Sequence, residues 1–115
     1  MKKIYHLSSC DTNRRILKEL NLSKDFIKQD IKVSPISEAE LEELHQLSGT
    51  YEALINKRAR MFSERKLKDK NLQESDFKEL LLEHYTFLKR PVLVNGEQIF
   101  IGNSKNTVAS AKNSL

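Results

Sequence analysis

The amino-acid sequence predicts an α/β fold, a mixed sheet with an all-helical insert between its two halves. Three observations predict it. Two short strand-like runs near the start flank a helical pattern, the middle of the chain shows only helical periodicity, and a hairpin pattern near the end precedes a last helix. With 115 residues, 38% of them hydrophobic, we expect a single domain over 1–115 with one modest core.

The first half is predicted as strand, helix and strand. Short apolar or alternating runs indicate strands over 4–7 and 26–33. Between them, Asp11 and Thr12 are both residue types that favour the N-cap of a helix, and apolar residues then recur at helical spacing up to Asn21. A single crossover helix between two short strands indicates a parallel pair.

The helical insert is predicted over roughly 37–88. Ser37 with Glu40 three residues later forms a capping box, and leucines continue the helix to Gly49. Apolar spacing then predicts two short helices and a longer one that begins after Ser75 and runs to the end of the insert.

The second half is predicted as a hairpin followed by a helix. Apolar runs over 92–94 and 99–101 flank a turn signal at 95–96, and the last helix lies around Val108. The order of elements is therefore β-α-β, helices, β-β-α. That order is typical of a thioredoxin-like domain with a helical insert.

Composition excludes several classes of protein. No stretch reaches the roughly 18 consecutive apolar residues of a membrane span, and the amino terminus lacks a signal-peptide core, so we expect a cytoplasmic protein without membrane partners. Cys10 is the only cysteine, which excludes an internal disulfide and a cysteine-rich zinc site. His6, His45 and His84 have no metal-ligand spacing, and we interpret them as structural or surface residues.

The net charge of +4 reflects basic residues concentrated in the insert. We interpret them as a solvated helical face, with an anion-binding rim as the alternative, and we expect no direct contact with nucleic acid. The basic residues are Lys57, Arg58, Arg60, Arg65, Lys66, Lys68 and Lys70.

Cys10 is the first chemical candidate because it lies where the first strand turns into the first helix. Unpaired N–H groups and the positive dipole end of a helix favour a thiolate there, and Arg14 adds positive charge whereas Asp11 opposes it. The alternative is that Cys10 is a small buried hydrophobic residue. Asn13 stands where a dithiol enzyme has its second cysteine, so a catalytic cycle needs an external thiol such as glutathione, or stops at a covalent adduct.

Arg90 is the second candidate because it precedes Pro91 at the start of a short strand. Such a bond is a candidate for the cis isomer, although a trans bond at a strand start is more common. A guanidinium at this position suits a tetrahedral oxyanion or a carboxylate. The alternative is a surface arginine without a ligand.

Four segments in this order and spacing carry a family resemblance: Cys10-Asp11-Thr12-Asn13-Arg14, Leu54-Ile55-Asn56-Lys57-Arg58, Lys89-Arg90-Pro91-Val92-Leu93 and Ile101-Gly102-Asn103-Ser104. Together they resemble the glutaredoxin-coupled arsenate reductase family, which includes the Spx-type regulators. The resemblance covers nearly the whole chain and implies a thioredoxin-like, glutaredoxin-like fold.

The resemblance implies a monothiol oxidoreductase. Cys10 matches the cysteine that attacks arsenate, Arg90 matches an arginine that binds the oxyanion, and glutathione and then glutaredoxin complete the cycle. Arg14 falls where the family commonly has an arginine. By the same resemblance, Thr12, Asn13 and Pro91 belong to the substrate-binding residues. We expect glutathione as co-substrate and no bound cofactor.

The mid-chain segment implies a choice of substrate. Asn56 stands where arsenate reductases have an arginine, and Gly102-Asn103 replaces the region of another. Arg58 instead matches the Asn-x-Arg pattern of arsenate-reductase-like proteins that are thought to be glutathione-dependent thiol reductases. Arg58 is therefore a further substrate-binding candidate, and the substrate is arsenate or a glutathione mixed disulfide.

The Spx-type relatives imply an alternative function. Gly49-Thr50 and the helix that follows resemble the segment that these regulators use against the RNA polymerase alpha subunit. Their redox switch is Cys-x-x-Cys, which Asn13 interrupts. The alternative is therefore polymerase binding without that switch.

Overall fold

The computed structural model describes all residues, 1–115. The helices and strands are β1 (Lys2–His6), α1 (Asp11–Leu20), β2 (Ile27–Asp30), α2 (Glu38–Ser48), α3 (Arg60–Glu64), α4 (Glu74–Glu83), β3 (Val92–Asn95), β4 (Gln98–Ile101) and α5 (Lys105–Ser114). Short 3-10 helices cover Glu52–Leu54, Leu67–Asp69 and Tyr85–Phe87. None of the helices has the length and apolar character that crossing a membrane requires.

The chain divides into two compact units. The first comprises Met1–Ser34 and Arg90–Leu115 and contains the whole sheet, and the second comprises Pro35–Lys89 and contains only helices and 3-10 helices. The predicted mixed sheet with an all-helical insert is confirmed.

The sheet has four strands in the order β2-β1-β3-β4. β1 and β2 are parallel, and β3 is antiparallel to both β1 and β4, so the predicted parallel pair and hairpin are confirmed. The register places His6 opposite Asp30 and Tyr5 opposite Val92. Because of these directions, the carboxyl ends of β1, β2 and β4 and the amino end of β3 meet at one edge of the sheet.

The core of the first unit lies between the sheet and helices α1 and α5. Its members are buried aliphatic and aromatic side chains from all three elements and from the segment before β2, and burial of their apolar surface stabilises the unit. They are Ile4, Ile16, Leu20, Phe26, Leu93, Val108 and Ala111.

Three elements of the first unit differ from their predicted bounds. β1 covers Lys2–His6 rather than 4–7. The backbone of Cys10 is still extended and Asp11 is already helical, so Cys10 is the N-cap of α1 rather than Asp11 or Thr12. The second strand is shorter than the predicted 26–33. It ends at Asp30, whose carbonyl accepts hydrogen bonds from two N–H groups further along, at 3.1 and 2.8 Å, and these bonds turn the chain away from the sheet.

The helical unit begins as its local sequence predicts. The Ser37 hydroxyl accepts from the Glu40 N–H at 3.1 Å, and the Glu40 carboxylate accepts from the Ser37 N–H at 2.9 Å. α2 ends at Gly49, which takes the left-handed conformation with φ of 87°. The predicted capping box and helix end are therefore confirmed.

The longest predicted helix of the insert is shorter than expected. α4 begins after Gln73 rather than Ser75 and ends at Glu83, since the backbone of His84 is extended. The Nδ1 atom of His84 accepts from the Thr86 N–H at 3.0 Å and begins a 3-10 helix instead. The two short predicted helices correspond to one 3-10 helix and to α3 with the 3-10 helix after it.

Candidate functional site

The predicted site residues of the first unit lie at one edge of the sheet. Cys10 follows the carboxyl end of β1, and Arg90 and Pro91 precede the amino end of β3. Gly102 follows β4 and donates its N–H to the Pro91 carbonyl at 2.9 Å. The antiparallel register therefore brings segments far apart in sequence to the same edge as the thiol.

Cys10 is half-buried and lies at the amino end of α1. Its N–H donates to the Leu7 carbonyl at 3.1 Å, which closes the turn between β1 and α1. The side chain does not cap the helix. The sulfur atom consequently lies beside a ten-residue helix whose first N–H groups lack helical partners, and such a position stabilises negative charge.

Asn13 is fully buried and holds the turn from inside α1. Its Oδ1 atom accepts from the Leu7 N–H at 3.0 Å, and its Nδ2 atom donates to the Sγ atom of Cys10 at 3.5 Å. This bond holds the sulfur against the first turn of α1. Asn13 thus replaces a resolving cysteine with an amide that contacts the sulfur directly.

Arg14 holds the same turn from outside. Its guanidinium donates to the Ser8 carbonyl at 2.5 Å and forms an ion pair with Asp11. The pair offsets the negative charge that Asp11 brings near the sulfur. Binding of substrate by Arg14 stays a prediction. Thr12 lies half-buried in the first turn of α1, and its predicted contact with substrate is equally untested.

Arg90 and Pro91 lie at the same edge of the sheet as Cys10, directly before β3. Their peptide bond is cis, the isomer for which this position is a candidate. Pro91 is buried and Arg90 is half-buried. Anion binding by Arg90 stays a prediction.

Asp30 is a residue that sequence analysis missed. Its carboxylate accepts from the Ser8 N–H at 3.4 Å, from the Ser8 hydroxyl, and from the Lys32 N–H at 3.2 Å. The hydroxyl bond from Ser8 is the main reason that the pKa of Asp30 lies below its usual value. Asp30 lies in the middle of the predicted strand 26–33, so the sequence carries no signal that places its carboxylate at the end of a strand.

His6 lies opposite Asp30 in the register and is buried, with 9% of its surface exposed. Burial lowers its pKa, the Asp30 carboxylate opposes that effect, and Lys28 adds to it. The Nδ1 atom of His6 has no hydrogen-bond partner. The structural interpretation of His6 agrees with this burial, and neutral imidazole is the form that the site favours.

Arg58 belongs to the helical unit. Its N–H donates to the side-chain oxygen of Asn56 at 3.1 Å, and the Asn56 N–H donates to the Phe87 carbonyl at 2.7 Å. Asn56 therefore shapes the loop that carries Arg58. The Arg58 guanidinium is exposed and has no ion pair within the chain.

The basic run of the insert is partly neutralised. Three of its members form ion pairs with glutamates: Lys57 with Glu52, Arg60 with Glu64 and Arg65 with Glu83. All seven residues of the run are exposed, which agrees with a solvated face. The chain also contains no group of His, Cys, Asp or Glu side chains that could hold a metal ion.

Comparison with known proteins identifies the family. An arsenate reductase from Vibrio cholerae matches the structure with a TM-score of 0.79 and 24% identity, covering 96% of both chains. An arsenate reductase related protein from Brucella melitensis matches with a TM-score of 0.71 and 21% identity, covering 95% of this chain and 92% of that one. These likenesses confirm the thioredoxin-like fold. No curated protein matches significantly. The sequence model of the ArsC family matches residues 5–111, and the chain therefore belongs to the ArsC family.

Proposed function

We propose that the protein is a cytoplasmic monothiol oxidoreductase in which Cys10 is the nucleophile and glutathione and glutaredoxin are the external reductants. One observation carries this proposal. The Sγ atom of Cys10 lies at the amino end of α1 and accepts a hydrogen bond from the Asn13 amide, in a chain without a second cysteine. A thiol placed in this way can attack, and it requires an external thiol for its regeneration.

The proposed cycle moves two electrons from thiols to the substrate. With arsenate, the Cys10 sulfur forms a bond to arsenic and a water molecule leaves. Glutathione then supplies the second thiol, so that arsenite departs and Cys10 is left in a disulfide with glutathione. A thiol of glutathione or glutaredoxin attacks the glutathione sulfur of that disulfide and takes glutathione with it, and the Cys10 thiol returns. A glutathione mixed disulfide as substrate enters at the same exchange step, because its glutathionyl sulfur is transferred to Cys10 as the substrate thiol leaves.

The arginines are proposed to bind the anionic parts of the reactants. Arg90 holds the oxyanion or a carboxylate of glutathione, and Arg58 contributes a second guanidinium, because charge-assisted bonds from arginine match both groups. Arg14 supports the thiolate by pairing with Asp11 and by fixing the Ser8 carbonyl. Asn13, Thr12 and Pro91 complete the proposed surroundings of the substrate.

The test is NADPH consumption in a coupled assay with glutathione, glutaredoxin and glutathione reductase. We expect turnover by the wild-type protein with arsenate or with a glutathione mixed disulfide, and loss of turnover in Cys10→Ser. Ser9→Ala is the matched control, since the exposed Ser9 side chain makes no hydrogen bond within the chain. Substantial turnover by Cys10→Ser would show that Cys10 is not the nucleophile.

The two substrates are assayed separately because their turnover separates an arsenate reductase from a thiol reductase. Turnover with arsenate makes the protein an arsenate reductase despite Asn56. Turnover only with the mixed disulfide assigns it to the thiol-reductase branch, in agreement with the Asn56-x-Arg58 pattern.

Binding to the RNA polymerase alpha subunit is the alternative proposal. Gly49 and Thr50 are exposed, and a Cβ atom added to Gly49 would meet nothing within 4 Å, so this corner after α2 is open to a partner. Absence of turnover with either substrate, together with capture of the protein by the C-terminal domain of the alpha subunit, would favour this function over the reductase.

A further inference from the structure

The turn that carries Cys10 is held by side chains from two elements. Asn13 and Arg14 reach it from α1, at the Leu7 N–H and the Ser8 carbonyl. Asp30 reaches it from β2 and contacts both the N–H and the hydroxyl of Ser8. Asp30 therefore binds this turn to the sheet, whereas Asn13 and Arg14 bind it to α1.

Asp30 is itself fixed in place. Its backbone ends β2 opposite His6, and its carbonyl accepts from the Val33 N–H at 3.1 Å and the Ser34 N–H at 2.8 Å. Its carboxylate also accepts from the Lys32 N–H. Because backbone and side chain are both held within one tight turn, the carboxylate offers Ser8 a rigid anchor.

Ser8 transmits this constraint toward the thiol. Its N–H and hydroxyl are held by Asp30, and its carbonyl is held by Arg14. The peptide units on both sides of Ser8 are thus fixed two residues before Cys10. The next constraint along the chain is the bond from the Cys10 N–H to the Leu7 carbonyl.

We propose that Asp30 is a positioning residue for Cys10 that acts through Ser8. By holding Ser8, it keeps the Cys10 sulfur at the amino end of α1 and within reach of the Asn13 amide. Asp30 neither exchanges a proton nor touches the substrate in this role. The inference rests on the proposed function of Cys10 as the attacking thiol.

Charge and position make opposite predictions for Asp30. If the carboxylate acted on the sulfur only through its negative charge, removal of that charge would speed alkylation. Loss of positioning would instead let the sulfur leave the helix end and slow alkylation. The direction of the change therefore separates a positioning residue from a nearby charge.

The experiment measures the rate of alkylation of Cys10 by iodoacetamide in the substrate-free protein. We expect Asp30→Ala to react about fivefold more slowly, the effect of one net hydrogen bond, and Asp30→Asn to lie between it and the wild type because its amide oxygen still accepts from Ser8. Asp25→Ala is the matched control, since Asp25 is exposed and makes only a 4.0 Å ion pair with Lys2.

A double-mutant cycle tests the route through Ser8. Ser8→Ala is expected to slow alkylation, and the double variant with Asp30→Ala is expected to react no more slowly than Asp30→Ala alone. Ser9→Ala serves as the control. Additive effects would exclude Ser8 as the intermediary, and an unchanged or faster rate in Asp30→Ala would overturn the proposal.

Two further observations keep the test decisive. Circular dichroism establishes that each variant is folded, and if Asp30→Ala is not, Asp30→Asn and Ser8→Ala carry the same comparison. Alkylation needs neither arsenate nor glutathione, so failure of the proposed catalytic function and failure of the positioning role give different results. Where turnover exists, we expect kcat to fall in these variants while KM is retained.

Discussion

Asn13 shows how one residue changes the chemistry open to this fold. A cysteine at this position would allow an internal disulfide with Cys10, whereas the amide binds the sulfur and the Leu7 N–H at the same time. Its complete burial makes both bonds costly to lose, because a buried N–H without a partner carries the full penalty of its desolvation. Asn13 therefore holds the Cys10 sulfur and the turn before it in one arrangement and places no second thiol beside that sulfur.

His6 predicts a loss of stability in mild acid. Burial lowers its pKa below the ordinary value of about 6.5, so the folded protein favours neutral imidazole and the unfolded chain binds the proton first. The stabilisation is fully present above that ordinary pKa and is lost as pH falls through the lower pKa of the folded state. Asp30 also has a lowered pKa, but its contribution is lost only at more acidic pH.

The measurement for His6 is the midpoint of urea unfolding across this pH range. We expect the wild-type midpoint to fall below neutral pH and His6→Asn to flatten that fall. His45→Asn is the control, because His45 is only half-buried and stacks on the Tyr51 ring. An equal pH dependence in wild type and His6→Asn would show that other groups cause the acid lability.

At the scale of elements, the sequence predicts the helix ends that are set by hydrogen bonds between residues close together in the chain. The capping box of α2 involves residues three apart, so its bonds could be anticipated from the residue types alone. The end of α4 could not, because apolar spacing continues through Tyr85 and Leu88 while His84 leaves the helix and caps a 3-10 helix. The role of Asp30 was missed for a related reason, since it depends on the register between two strands.

The capping box supplies a prediction for α2. Ser37→Ala removes the acceptor for the Glu40 N–H and should lower the free energy of unfolding by about 0.5 to 2 kcal/mol. Urea denaturation monitored by circular dichroism measures the change. Ser34→Ala is the control, because the exposed Ser34 hydroxyl makes no hydrogen bond within the chain, and equal effects of the two substitutions would argue against the cap.

At the scale of the whole molecule, candidate anion-binding groups occur in both units. Cys10 was predicted as a site residue because it precedes a helix, and Arg90 because it precedes a proline. The antiparallel register brings the ends of β1 and β3 that carry them to one edge of the sheet. Arg58 belongs to the other unit, where its N–H donates to the side-chain oxygen of Asn56. Each arginine therefore needs a test of its own.

Single arginine variants supply that test. Arg90→Ala and Arg58→Ala are each expected to weaken the apparent affinity for the anionic substrate by about 1 to 3 kcal/mol, the scale of a charge-assisted hydrogen bond. Arg90→Lys keeps the charge without the planar fork and should recover only part of the loss. Arg60→Ala is the control, because Arg60 is 90% exposed and already paired with Glu64. Steady-state kinetics in the coupled assay measures the affinity.

An unchanged affinity in Arg58→Ala would assign Arg58 to the solvated face of the insert. An unchanged affinity in Arg90→Ala would remove the oxyanion-binding group from the proposed site.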